Sequence, residues 1–337
     1  MLKYLSRRLL FAIPTLIAIS FVLFALLDLA PSDPTGSLPI TIPPEVRQEI
    51  RESLGLDEPF LIRYVKWMNQ FFINEPLNLI DKILDPNDTT PSSRLRVLSW
   101  QQRSPVVDLI VERIPQTLWV VGFSYLVGIL IALPIGVISA YKQYSWFDQI
   151  GTFISMVGFS VPTFFTGILA ITIFSVALSW LPSVYDTTHE VTDFSSLWFQ
   201  IKQMAMPVLV LAFYNAAQLS RFMRASVLEN LNLDYVRTAR AKGLKDRAIL
   251  IGHILRNSMI PVVTMIALGV PTIFGGAIVT EQIFRVNGLG ALLIDGIQAA
   301  DIPLVQTLTF VFAVLIVLFN LVADVLYGIL DPRIRYS

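Results

Sequence analysis

The 337-residue sequence has no cysteine, which excludes disulfides and thiolate metal sites and leaves the redox compartment unmarked by thiols. Histidine is scarce as well. His189 and His253 lie on different predicted loops, their spacing offers no metal site, and both read as ordinary polar residues. Charged residues make up only 15% of the chain and balance to a net charge of zero, so the sequence as a whole predicts no nucleic-acid partner. Catalytic signatures are also missing: there is no GxxxxGK[ST] phosphate loop, no HExxH pair, no EF-hand loop and no GxSxG elbow. ATP hydrolysis by the P-loop route is thereby excluded from this polypeptide, and no enzymatic activity, cofactor or metal is expected of it.

What the sequence has instead is apolar surface. Hydrophobic residues account for 54% of the chain and mean hydropathy is +0.65, the composition of an integral membrane protein. Lys3, Arg7 and Arg8 lead into an apolar run over 9–30. The run is longer than the apolar stretch of a signal peptide and no clear small-residue cleavage site follows it, while roughly 20 apolar residues suffice to cross a bilayer. It reads as a first transmembrane helix, bent at Pro14, with its basic flank on the cytoplasmic side. Five more spans are expected over 117–140, 150–178, 204–219, 258–279 and 307–330, the fourth having the weakest hydropathy. Six spans return the carboxyl end to the cytoplasm, in agreement with Arg333 and Arg335.

Between the first two spans, residues 31–115 are polar and mixed in sign and read as an extracytoplasmic segment. Within it 44–54 and 59–72 form short helices. Phe60, Tyr64, Trp67, Met68 and Phe71 recur at helical spacing in the second, an interfacial or core face. The third span is interrupted at SVPTFFTG, where Pro162 makes either a packing kink or a break that lines a pathway. Gly269, Pro271, Gly275 and Gly276 loosen the fifth. Pro162, Pro271 and Gly275 are the candidate pathway positions on backbone irregularity, with helix packing as the alternative. Asn320 and Asp324 share a face of the sixth span and read as a satisfied polar pair. The chain is thus expected to consist of an N-terminal helix (1–30), an extracytoplasmic segment (31–115) and a five-helix core (116–337) that carries a cytoplasmic loop over 221–257.

That loop concentrates the charge. From Arg221 to Arg256 eight Lys or Arg face three acids, an excess of five, as a cytoplasmic loop requires. Within ENLNLDYVRTARAKGLKDRAILIGHILRNSMIP (229–261), Asp234 reads as an N-cap, 235–242 as a short helix, and Gly243 as the left-handed residue that ends it. Leu244 follows, and Arg240 and Lys242 occupy the last turn, where cations suit the carbonyl end. Asp246 reads as the cap of a second helix running toward Pro261. Tyr235, Val236 and Ala239 share one face of the short helix, and small Ala239 and Ala241 allow close approach to another surface. On the residues alone, this stretch is either a solvated basic loop or a docking element.

The pattern YVRTARAKGL followed by HILRNSMIPVVT resembles the cytoplasmic coupling loop of ABC importer permeases, in the version found in dipeptide, oligopeptide and nickel permeases. The wider pattern of Glu-Ala-Ala, three residues and Gly survives in part. Gly243 fits it, the triplet is Arg237, Thr238 and Ala239, and the expected proline is displaced to Pro261. KYLSRRLLFAIPTLIAISFVLFALLDLAPSDP resembles the amino end of the first of the two permease subunits in peptide importers. GLDEPFLIRYVKWMNQFF, SVPTFFTG, EQIFRVNGLGALLIDGIQAADIPLVQ and LDPRIR are similar to the family as well. A Gly-Asp-Leu-Gly-Ser-like stretch is absent, replaced by the insertion around 73–104, so this part of the outer surface departs from the family pattern.

The resemblance implies an all-α, six-helix type I ABC importer transmembrane domain in a bacterial plasma (inner) membrane, surrounded by membrane lipid. Its implied partners are a second homologous permease subunit, two P-loop ATPase subunits and an extracytoplasmic solute-binding protein. The implied activity is ATP-driven import of peptides or peptide-like solutes through a pathway of which this chain forms half, with nickel chelates or glutathione-like compounds as the alternative cargo. Tyr235, Val236, Ala239, Arg240, Ala241, Gly243 and Leu244 are then the ATPase contact. Two other classes compete. A secondary transporter would use Asp28, Glu281 and Asp324 as coupling carboxylates, although all three lie near expected span ends. A scaffold or sensor would bind a soluble partner or anionic lipid through the basic loop.

Overall fold

Apolar runs that cross a bilayer must satisfy every backbone group internally, which selects helices. A computed structural model describes residues 2–29, 43–53, 55–84, 94–271, 273 and 277–330. Among the described residues there is no strand beyond an isolated bridge between Leu98 and Pro105. The chain begins with α1 (Leu2–Asp28), α2 (Pro44–Ser53) and α3 (Phe60–Asn69), which runs through a π turn into α4 (Glu75–Leu84). Next come α5 (Val106–Thr117), a π turn over Leu118–Gly122, α6 (Phe123–Tyr141), α7 (Trp146–Ser160) and α8 (Thr163–Ala170). The remainder is α9 (Phe194–Leu231), α10 (Asp234–Ala241), α11 (Asp246–Ile249), a π turn over Leu250–Ile254, α12 (Leu255–Gly269), α13 (Ile278–Phe284), α14 (Leu289–Gln298) and α15 (Ile302–Leu330).

Five helical stretches are long and apolar enough to cross a membrane: Ser6–Asp28, Val106–Tyr141, Phe194–Leu231, Asp246–Gly269 and Ile302–Leu326. A sixth is formed if Trp146–Ser160 and Thr163–Ala177, bent by 102° at Pro162, count as one span. This is the expected six-span, all-α architecture, and the departures lie at the boundaries. The fourth span is far longer than the expected 204–219. Its 38 residues start at a capping box in which Asp193 accepts from the Ser196 N–H at 2.7 Å and Ser196 Oγ accepts from the Asp193 N–H at 2.8 Å. At a rise of about 1.5 Å per residue it extends about 57 Å, well past a hydrocarbon core of about 30 Å. The fifth begins at Asp246 rather than 258, so His253 sits in a helical turn rather than a loop. The tail with Arg333 and Arg335 lies outside the described residues.

Contacts divide the chain into two units, one of residues 1–9, 115–291 and 315–337, the other of 10–114 and 292–314. In the latter, the aromatic stripe expected over 59–72 is a core face. Tyr64 meets Phe21 and Phe24 edge-on at 5.4 Å, and Trp67 stacks on Phe71 at 5.5 Å while meeting Phe310 edge-on at 5.6 Å. The Trp67 indole donates to Thr307 Oγ1 at 3.3 Å, and Arg63 pairs with Asp28 at 2.5 Å. The insertion is pinned in turn by Arg96, which bridges Glu75 at 2.7 Å and Asp108 at 2.8 Å. Asp301 accepts from the N–H groups of Trp100 at 3.1 Å and Gln101 at 3.2 Å.

In the other unit, small residues let α9 close on its neighbours. A Cβ at Gly136 of α6 would stand 2.7 Å from Met223 Cβ, and one at Gly158 of α7 would stand 2.9 Å from the Phe213 ring. The hydroxyls of Ser155 and Ser220 meet at 3.1 Å in the same interface.

Candidate functional site

Helix α10 has local reasons to start and to stop. Its first turn closes with the Val236 N–H donating to the Leu233 carbonyl at 3.0 Å, so Leu233 precedes the helix and Asp234 is its first residue. Likewise the Ala248 N–H reaches the Lys245 carbonyl at 2.9 Å and Asp246 opens α11. Both aspartates, expected as caps, therefore stand one residue inside their helices, where a carboxylate still favours the positive end. The other end is as expected. Gly243 has φ +75, its N–H donates to the Arg240 carbonyl at 2.9 Å, and the Leu244 N–H reaches back to Ala239 at 3.3 Å. This pair of bonds is a Schellman closure, and the left-handed residue at its centre favours glycine.

The inward face of α10 is held by its own chain. Val236 and Ala239 are buried in a cluster with Ala140 of α6, Met223 and Val227 of α9, Ile249 of α11 and Val262 of α12. Tyr235 packs on this cluster and its hydroxyl donates to Asn230 Oδ1 at 2.9 Å. Arg240, Ala241, Gly243 and Leu244 are exposed. The expected contact residues thus divide between three that seat the helix and four that face outward.

Against α9 lies a cavity of about 840 Å³. Its wall includes the bend itself, residues 159–164, so Pro162 lines it; Tyr214, Asn215 and Gln218 come from α9 and Tyr125 from α6. The Tyr125 hydroxyl donates to the Ile266 carbonyl at 2.7 Å and fills the space beside Gly269. Among the described residues that line the cavity, none is acidic or basic. Pro271 is buried in the turn after α12, and Gly275 lies outside the described residues. Asn215 and Gln218 are the positions sequence reading missed. Their signal was the low hydropathy of the fourth span, which two side-chain amides in a helix help to produce.

A buried carboxylate sits in α13, beyond the candidate spans. Glu281 is 2% exposed; it accepts from Thr117 Oγ1 at 3.1 Å and from the Ala291 N–H at 3.0 Å, while Thr117 accepts from the Leu289 N–H at 2.8 Å. A Cβ at Gly288 would lie 2.3 Å from Glu281 Oε1, so the turn before α14 closes directly on the carboxyl group. Burial pushes the Glu281 carboxyl up to about 7, against the hydrogen bonds from Ala291, Thr117 and Gly290, which favour its charged form. Asp28 has Arg63 and Asp324 has Arg8, each at 2.5 Å, so Asp324 pairs across to another helix. The three carboxylates weighed for ion coupling all have partners.

The family model described as "Binding-protein-dependent transport system inner membrane component" matches residues 132–336, and the N-terminal model of such membrane components matches residues 1–121. The chain is 36% identical over 340 residues to the oligopeptide transport system permease protein AppB of Bacillus subtilis (strain 168), with 100% of both chains covered. It is 33% identical over 354 residues to the dipeptide transport system permease protein DppB of Alkalihalophilus pseudofirmus and 35% identical over 341 residues to the glutathione transport system permease protein GsiC of Escherichia coli (strain K12), again with 100% of each chain covered. The chain therefore belongs to the binding-protein-dependent transport system inner membrane components, as a multi-pass permease subunit of the peptide family of ABC importers.

Proposed function

We propose that this chain forms one half of a pathway that imports peptides or peptide-like solutes. A homologous permease subunit supplies the other half, an extracytoplasmic binding protein delivers the solute, and two P-loop ATPase subunits supply the energy. Both termini are cytoplasmic, and so is α10. The observation that carries this reading is that one helix serves both places: α9 walls the cavity with Tyr214, Asn215 and Gln218 and also supplies Met223 and Val227 to the seat of α10.

An ATPase that grips Arg240, Ala241, Gly243 and Leu244 moves a helix fastened through Tyr235, Val236 and Ala239 to the wall of the pathway. ATP biases inward- and outward-facing states only through contacts that differ between them, and α10 offers such a surface. Pro162 lies at the bend that shapes the wall, and Pro271 in the turn after α12, with Gly275 beyond it in sequence, is assigned to the same pathway. The cargo assignment follows the relatives named for oligopeptides, dipeptides and glutathione.

The test is a pull-down of the tagged chain, solubilised from its native membrane, with mass spectrometry of what accompanies it. A sister permease and one or two P-loop ATPases are expected, the ATPases being lost with Gly243→Pro. Recovery of the chain alone, under conditions that keep other importers intact, sinks the proposal.

A further inference from the structure

Three unengaged polar groups beside the cavity follow a register set by α9. Asn215, Gln218 and Arg221 succeed one another at intervals of three residues, which places them along one side of the helix over about 9 Å at about 1.5 Å per residue. Asn215 and Gln218 line the cavity. Arg221 stands at its edge, its guanidinium 5.8 Å from the centre of the Phe159 ring, and Phe159 is a lining residue stacked on Tyr214 at 6.1 Å. Among the described residues, none hydrogen-bonds to these three polar side chains. Arg224, the next arginine along α9, is fully engaged by Asp148 at 2.6 and 2.8 Å, so the cation left available in this stretch is Arg221.

The chemistry of the three groups matches the end of a peptide. A side-chain amide both donates and accepts, as a peptide backbone requires, and a guanidinium presents parallel N–H groups that fit a carboxylate. An extended peptide advances about 3.3 Å per residue, so about 9 Å accommodates two to three residues. With no acid in the lining, nothing there repels a carboxylate.

We infer that Asn215, Gln218 and Arg221 form a ladder that reads the backbone of a short extended peptide and anchors its C-terminal carboxylate. The ladder deepens the peptide-import reading and rests on it. Side-chain charge is not selected at these rungs; a free carboxyl terminus is.

The complete importer in proteoliposomes, with ATP and its binding protein, tests this through the initial uptake of labelled trialanine and of trialanine C-terminal amide. Each rate is expressed per loaded binding protein, with loading measured by titration. The wild type is expected to carry the free acid about tenfold faster than the amide, the factor appropriate to one charge-assisted contact. Arg221→Gln brings the acid down to the amide's rate, Arg221→Lys keeps most of the preference, and Asn215→Ala with Gln218→Ala slows both peptides. The acid-to-amide ratio within each variant cancels any loss of folded importer. Equal rates for acid and amide in the wild type overturn the ladder, as does an Arg221→Gln loss shared equally by both. Absence of ATP-driven uptake of either peptide by the wild type overturns the import reading itself.

Discussion

Arg224 closes on Asp148 with two parallel hydrogen bonds, Nε to Oδ1 at 2.6 Å and Nη2 to Oδ2 at 2.8 Å, and so clasps the first turn of α7 to α9. Asp148 is almost fully buried and also accepts from the Tyr144 N–H at 2.9 Å. Removing one partner strands the other. Arg224→Ala is expected to destabilise the complex by about 3 kcal/mol, the low end for a broken buried pair because the arginine is partly exposed. Thermal melting of the purified complex checks this. Asp148→Asn combined with Arg224→Gln recovers most of the loss, and an unchanged melting temperature for Arg224→Ala refutes the account.

Gly243 carries a backbone demand and no steric one, since nothing stands within 4 Å of a Cβ built there. Gly243→Ala therefore costs about 1 kcal/mol through the left-handed φ alone. Gly243→Pro costs more, because it forces φ negative and removes the N–H that binds the Arg240 carbonyl. ATP-driven uptake in proteoliposomes is expected to fall in the order Gly, Ala, Pro at equal membrane insertion. Full uptake by the proline variant argues against α10 as the coupling element.

Substitutions on the two faces of α10 are expected to separate stability from the proposed docking role. Val236 is fully buried, so Val236→Asp places a charge in the core and lowers the melting temperature of the isolated chain. Leu244 is 43% exposed, so Leu244→Asp leaves melting near wild type and instead loses the ATPase subunits from a pull-down. If both substitutions act on melting alike, the outward surface has no docking role.

Glu281 gives the stability a pH dependence of definite sign. Its folded-state value near 7 lies above the ordinary 4.5, so the neutral acid is the form the fold prefers. That contribution is complete below about pH 4.5 and is lost as pH rises through about 7. Glu281→Gln removes the titration while giving up one acceptor to the Thr117 and Ala291 donors. Melting temperatures measured from pH 4.5 to 8 should show a decline in the wild type that is shallower in the variant, and parallel curves would assign the decline elsewhere.

The elements legible in the sequence were those written in periodicity and in single strong residues. The apolar runs located the spans, the aromatic spacing from Phe60 to Phe71 announced a packed face, and Gly243 announced a helix end. The length of α9 was hidden because its outer turns are polar. They hold as helix through the Asp193 and Ser196 capping box and through buried Gln203, whose Oε1 accepts from the Asp186 N–H at 2.8 Å. Periodicity also grouped Tyr235, Val236 and Ala239 correctly without telling what they meet, since a shared face is a property of the helix and its partner is not. The burial of Glu281, a residue weighed only as an ion-coupling group near a span end, was unreadable for a similar reason. It depends on Thr117, which is 164 residues away.

The unbroken stretch of α9 after Pro207 is a rigid bar with the cavity wall at one place and α10 at its end. From Asn215 to Leu231 it advances sixteen residue steps, or about 24 Å at about 1.5 Å per residue. A tilt of about 10° at the α10 end sweeps Asn215 through about 4 Å, close to the width of an extended backbone, over that length. If α10 is the coupling element proposed above, α9 is a lever arm whose length is set by its residue count, and a small stroke at α10 shifts one wall of the cavity by about the width of an extended backbone.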